Sequence, residues 1–169
     1  MLDKKTNLSD YDASLIPDGA PYRIAIVAAE WNGEITDAML RGAHETLLKH
    51  GVKEENVTVW HVPGTFELTS AADMLLTNHG GLDAVICIGC VIQGETRHFD
   101  FICESVANGL GSVAVKHSKP IIFSVLTTNN MEQARERAGG LHGNKGIEGA
   151  VTALKMCRFN DETRNLVIR

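Results

Sequence analysis

No stretch of the 169 residues comes near the ~18–20 uninterrupted apolar residues that a membrane span requires. The opening segment, Met1 to Ala20, is polar and lacks the apolar core of a secretory signal. These two absences point to a soluble, cytoplasmic protein. Cysteine is scarce, and four residues cannot supply a disulfide framework for a chain this long. Lys and Arg number 16 against 21 Asp and Glu, a net charge of −5, and the cations do not cluster. Phosphate backbones select basic stripes, which makes nucleic acid a poor candidate for the main partner. The sequence has no internal repeat, no low-complexity tract and no H-E-x-x-H spacing.

What is present is apolar content of 44%, enough for a core in a chain whose size buries roughly 68–70% of its extended-chain surface. One domain is expected over residues 21–158, between an N-terminal tail (1–20) and a C-terminal tail (159–169). The first tail has no sustained period and is read as disordered, or ordered only against a neighbour. Four apolar, largely β-branched runs read as parallel strands buried on both faces: Tyr22–Ala29, Val57–Val62, Ala84–Ile92 and Pro120–Thr127. Helical patterns cover Glu34–His50, Phe66–His79, Asp100–His117, Met131–Ala138 and Ile147–Cys157. In the first, Ile35, Met39, Ala43, Leu47 and Leu48 share a face, and Gly51 supplies the stop. Strand–helix alternation of this kind predicts a three-layer α/β/α fold on a four-stranded parallel sheet.

Ligands in such folds sit beyond the carboxyl ends of the strands. The stretches concerned are Glu30–Gly33, Pro63–Glu67, Gly89–His98 and Thr127–Asn130, where polar and Gly-rich character concentrates. Trp31 and Phe66 lie there, suited to a planar ligand or to plain packing. Gly109-Leu-Gly111-Ser-Val-Ala114 matches a dinucleotide fingerprint on paper, but a helical pattern precedes it where a strand is required, so close helix packing is the better reading. Cys87 and Cys90 stand three apart in a strand and should face opposite sides, as buried small hydrophobes. His44, His50, His61, His79 and His117 belong to regular elements or their ends, and His142 in a Gly-rich loop is left open. His98, after Gly94-Glu-Thr-Arg at a helix start, is a candidate for proton transfer. The same turn offers backbone N–H groups to an anion, for which an arginine would complete the charge match. Arg135 and Arg137 are available, although composition alone makes them a solvated face.

Taken together, Val62-Pro-Gly-Thr-Phe-Glu-Leu68, Gly89-Cys-Val-Ile-Gln-Gly-Glu-Thr-Arg-His-Phe-Asp-Phe-Ile102, Val125-Leu-Thr-Thr128, Glu132-Gln-Ala-Arg-Glu-Arg-Ala-Gly139 and Gly143-Asn-Lys-Gly146 resemble lumazine synthase. The blocks run in that family's order over residues 21–157. The resemblance implies a flavodoxin-like lumazine synthase fold. The activity implied is condensation of 5-amino-6-(D-ribitylamino)uracil with 3,4-dihydroxy-2-butanone 4-phosphate, giving 6,7-dimethyl-8-ribityllumazine, the penultimate step of riboflavin biosynthesis. It implies that Trp31 stacks on the pyrimidine and that Thr65, Phe66 and Glu67 surround the ribityl chain. Main chain at Cys90, Val91 and Ile92 would read the ring edge, Glu95 and Thr96 form the phosphate turn, and His98 acts as general acid/base. Phe123, Arg137 and Lys145 would reach a site shared with an adjacent subunit. Trp31 stands where the family often has Phe or Tyr, and Cys90 where it usually has a smaller residue. No cofactor or metal is implied, since phosphate is a competent leaving group once the sugar has enolised. The family forms pentamers, many built into icosahedral shells. The short Gly139–Gly146 loop and the long tail favour a shell here, with Pro17 and Pro21 able to turn the tail from a sheet edge. The rival class is a non-catalytic lumazine- or flavin-binding shell protein; His98 and Arg137 together favour the enzyme.

Overall fold

The protein is described by a computed structural model over residues 7 and 9–166. Residues 1–6, 8 and 167–169 of the two expected tails lie outside the described residues. The elements are β1 (Ile24–Ala29), α1 (Gly33–Lys49), β2 (Val57–Val62), α2 (Leu68–Asn78), β3 (Ala84–Ile92) and α3 (His98–His117). They are followed by β4 (Ile121–Thr128), α4 (Met131–Glu136), a small hairpin of β5 (Ala138–Gly140) and β6 (Gly143–Asn144), and α5 (Lys145–Arg164). The main sheet has four parallel strands in the order β2-β1-β3-β4.

Strand alternation sorts the core into two layers. Ile24, Ile26 and Ala28 of β1, with Ile86, Ile88 and Cys90 of β3, meet Ile35, Met39 and Leu47 of α1 and Ala150 and Leu154 of α5. Ala25, Val27, Val85 and Cys87 point the other way, onto Leu68, Ala72 and Leu75 of α2 and Val106 and Leu110 of α3. This is the expected three-layer α/β/α arrangement. Cys87 and Cys90 lie in opposite layers, each as a packed hydrophobe. Burial pushes their thiols up to about 12 and about 11. The Gly109-to-Ala114 run is internal to α3, as its helical approach indicated. Gly109 presses on Thr69 of α2, where a Cβ would come within 2.7 Å of the threonine hydroxyl; Gly111 faces open space and packs on nothing.

Three expectations need correction. β2 is not covered on both faces: it is an edge strand, and Thr58, Val59, Trp60 and His61 are exposed. The helices centre over β1 and β3, and periodicity does not say which strand ends the sheet. β4 starts at Ile121 rather than Pro120, whose ring nitrogen has no proton to give and whose carbonyl accepts from Val85 N at 3.0 Å. α5 continues seven residues past Cys157 to Arg164.

The described part of the N-terminal tail makes contacts with its own chain. Gly19 N donates to His50 O at 2.7 Å, Tyr11 Oη lies 3.0 Å from His50 Nε2, and Ser9 Oγ accepts from Asn144 N at 2.9 Å. Asn144 caps α5, its Oδ1 accepting from Gly146 N at 2.8 Å while its Nδ2 donates to Ala38 O of α1 at 3.0 Å. α1 and α5 cross so closely here that a Cβ on Gly146 would fall on the Met39 carbonyl oxygen.

Candidate active site

The carboxyl ends of β1, β2 and β3 carry one set of the expected residues on a common frame. Glu30 N donates to Val62 O at 2.8 Å and Trp31 N to Pro63 O at 3.1 Å, which ties the loop after β1 to the loop after β2. Asn32 follows in the left-handed conformation (φ 61°), and its Nδ2 donates to Cys90 O at 2.9 Å, tying the β1 loop to β3. Thr65, Phe66 and Glu67 form a 3₁₀ turn ahead of α2. Thr65 is buried: a Cβ on Gly89 would meet its hydroxyl at 2.7 Å, so this threonine locks the turn onto β3. Phe66 projects outward and Glu67 folds its carboxylate over Gly64. Trp31 is 75% and Phe66 53% exposed, large aromatic areas left without cover on a rigid base.

The chain leaving β3 is half-buried at Val91 and Ile92 and exposed from Gln93 to His98. Gln93 N donates to Thr128 O at 2.8 Å and anchors the start of this turn to β4. His98 is the first residue of α3, with its amide 3.4 Å from Thr96 Oγ1 and its imidazole in solvent. Glu95 and Thr96 are exposed in the preceding turn.

A second set lies at the far flank of the sheet. Lys145 N donates to Arg137 O at 2.9 Å, so the two cations share one main-chain frame across the β5–β6 hairpin. Ser124 Oγ donates to Lys145 O at 3.4 Å, which places Phe123, the preceding residue, on the other face of β4 from this contact. Phe123 pairs with Cys87 in the middle of the sheet and is 38% exposed. It stands five residues, about 16 Å, below the carboxyl end of its own strand. Arg137 Nη1 donates to Gln133 O at 3.0 Å, and Lys145 Nζ pairs with Glu148 at 2.7 Å. Among the described residues no side-chain hydrogen bond or ion pair joins this corner to the strand-end set.

The structure also separates the two arginines that composition leaves equal. Arg135 makes a two-pronged pair with Glu34 of α1, at 2.7 and 3.0 Å, and that hydrogen-bonded guanidinium holds the Glu34 carboxyl below its usual range. Other histidines have structural partners: His44 with Glu54 at 3.1 Å, and His117 with Asp73 at 2.7 Å. His142, left open by the sequence, sits 3.7 Å from Glu136 in the hairpin. Among the described residues no group of three or more His, Cys, Asp or Glu side chains converges to hold a metal. Two framing residues escaped the sequence reading, Asn32 and Asn144. Asn32 had a local signal in the Asn-Gly step after β1, which favours positive φ.

A family model for 6,7-dimethyl-8-ribityllumazine synthase matches residues 21–161. Proteins of that name from Porphyromonas gingivalis and Cytophaga hutchinsonii are each 57% identical to this chain over 150 residues. That alignment spans 89% of the chain and 92% and 93% of the respective relatives. A third, from Christiangramia forsetii, is 44% identical over 164 residues, covering 97% of this chain and 98% of its own. A match over nearly the whole ordered chain, on a four-stranded parallel sheet with both faces covered by helices, establishes that the chain belongs to the 6,7-dimethyl-8-ribityllumazine synthase family and is an enzyme of that type.

Proposed function

We propose that the chain condenses 5-amino-6-(D-ribitylamino)uracil with 3,4-dihydroxy-2-butanone 4-phosphate to 6,7-dimethyl-8-ribityllumazine, releasing phosphate and water, in the cytoplasm and as a step of riboflavin biosynthesis. The observation that carries the reading is the strand-end frame, where Trp31, Phe66, Glu67 and His98 project from backbone tied together by hydrogen bonds. Trp31 supplies a flat apolar face for the pyrimidine. Phe66 and Glu67 border the ribityl chain, Glu67 accepting from its hydroxyls, with Thr65 fixing their turn. Main chain at Cys90, Val91 and Ile92 meets the polar edge of the ring. The butanone phosphate lies at the Glu95–Thr96 turn, its charge met by Arg137 and Lys145.

The amine attacks the ketone, a first water leaves as the imine forms, phosphate is eliminated after enolisation, and the second nitrogen closes the ring on the remaining carbonyl with loss of a second water. His98 moves the protons at these steps. Holding the two reactants side by side supplies much of the acceleration, because a bimolecular encounter becomes an intramolecular one.

Phe123, Arg137 and Lys145 serve the site of an adjacent subunit. Phe123 is about 16 Å below the strand ends of its own sheet, and the two cations hold to Gln133 and Glu148 on the α1–α5 side of the sheet. The uncovered edge of β2, with Val59 and Trp60 exposed, calls for a partner as sheet edges do. A closed ring is the smallest assembly in which each site is completed; membership of the family makes it a ring of five, and the short hairpin turn favours assembly of rings into a hollow icosahedral shell. Incubating the chain with the two substrates and following lumazine absorbance tests the reaction; no product overturns it. Sedimentation tests the assembly: a mass of five subunits at every concentration removes the shell, and a monomer removes the shared site.

A further inference from the structure

We infer that the N-terminal segment is a strap that positions the cationic corner, with Ser9 as a positioning residue acting through Asn144 on Lys145 and Arg137. This deepens the proposed reaction and rests on its assignment of those two cations to the phosphate.

The strap is held at three points along its course. Gly19 is tied to His50 O, and Tyr11 meets His50 Nε2 with its ring tilted over the imidazole at 5.7 Å between centroids. Lys49 Nζ lies 5.7 Å from the centre of the Tyr11 ring, adding a cation–π contact. The last anchor is the one with chemical reach: Ser9 Oγ accepts from the amide of Asn144. Asn144 is buried, and its side chain is already committed to Ala38 O on α1 and to the amide of Gly146 on α5. It is therefore fixed from α1, from α5 and from the strap. The next residue is Lys145, whose amide holds the Arg137 carbonyl. Any movement of the Asn144 peptide plane is passed directly to the backbone of both cations. Ser9 touches no residue assigned to substrate, so its effect runs through this relay alone. Since the corner serves an adjacent subunit, the strap of one chain tunes phosphate binding in its neighbour's site.

The test is Ser9→Ala in the full-length assembled protein, read by amide hydrogen exchange at Asn144 and by steady-state kinetics. Loss of one hydrogen bond is expected to speed exchange at Asn144 and to raise KM for the butanone phosphate by about three- to tenfold. KM for the pyrimidine and kcat stay within about twofold, because the strand-end frame is untouched. Ser9→Thr, which keeps the hydroxyl, restores both readouts. Tyr11→Phe, which loosens the strap at its middle anchor, moves them the same way by less. Unchanged exchange in Ser9→Ala overturns the strap, as does faster exchange with KM for the phosphate unmoved. A wild-type chain that makes no lumazine overturns the proposed reaction and the inference together, whereas an active wild type that Ser9→Ala matches in every readout overturns the strap alone.

Discussion

The strand-end set and the β4–α5 corner reach rigidity by different routes. The first rests on the packed interior: β1 is buried along its whole length, and the loops it feeds are stitched to β2 and β3 by main-chain and Asn32 hydrogen bonds. Its aromatic and imidazole groups are free because their support lies beneath them. The corner packs on the α1–α5 layer through Ala134, Ala138 and Ala150 and adds ties of its own. It is fixed by a helix crossing too close for a Cβ, by Asn144 and by the strap, and its cations occupy themselves with Gln133 and Glu148 until a ligand competes. In the proposed assembly, a site that recognises a flat ring on one side and an anion on the other would assign each task to a different chain.

Mixing subunits is the strongest way to break this comparison. His98→Ala and Arg137→Ala chains, each impaired alone when the butanone phosphate is kept well below its KM, should regain activity when unfolded together and reassembled. In a random equal mixture about a quarter of the interfaces pair an intact His98 with an intact Arg137. No recovery beyond the sum of the parents would place both residues in one chain's site. Next in size, His98→Ala alone should lower kcat by about 10²-fold with little change in KM, the share that proton transfer contributes once proximity is kept; an unchanged kcat removes His98 from the chemistry. Arg137→Ala should weaken the butanone phosphate by roughly 10–150-fold, the loss of one charge-assisted hydrogen bond, and leave the pyrimidine nearly untouched. Equal weakening of both would mean a collapsed interface. Arg135→Ala, which cuts an exposed pair to Glu34, should change either KM by less than about twofold. A larger change would give the α1–α4 pair a role in the corner. The smallest effect concerns the frame under the first set. Burial holds the Cys90 thiol up to about 11, so at pH 8 it stays protonated, and iodoacetamide should leave Cys87 and Cys90 unmodified by peptide mass while activity persists. Rapid alkylation of Cys90 would show that the strand ends breathe.

The sheet was the most legible part of the sequence. Val57–Val62 and Ala84–Ile92 have the same ends in the structure as in the reading, because β-branched runs bounded by polar or Gly-rich stretches leave little choice. Which strand would be the edge was not legible: β2 is as β-branched as its neighbours, and only the placement of the helices leaves it bare. Of the site, His98 could be singled out from its position alone, past a strand end and at a helix start. The other assignments came through resemblance, since an exposed Glu or Lys carries no local mark of its use. Arg135 and Arg137 could not be told apart, because the difference lies in Glu34, a hundred residues away. The tail looked orderless because its three anchors are isolated contacts with no repeating pattern.

Gly146 is where the chain has least freedom to drift over generations. Any substitution adds a carbon against the Met39 carbonyl, so α5 can tolerate a change there only if α1 gives way with it. In a ring assembled as proposed, the two cations displaced by such a lesion belong to the catalytic site of the next subunit. The defect would then be felt by a neighbour carrying an intact copy, and in an equal mixture of the two chains about half the sites would fail, whichever allele supplied their strand ends. Selection at this position acts on the ring as a whole rather than on the chain that bears the mutation.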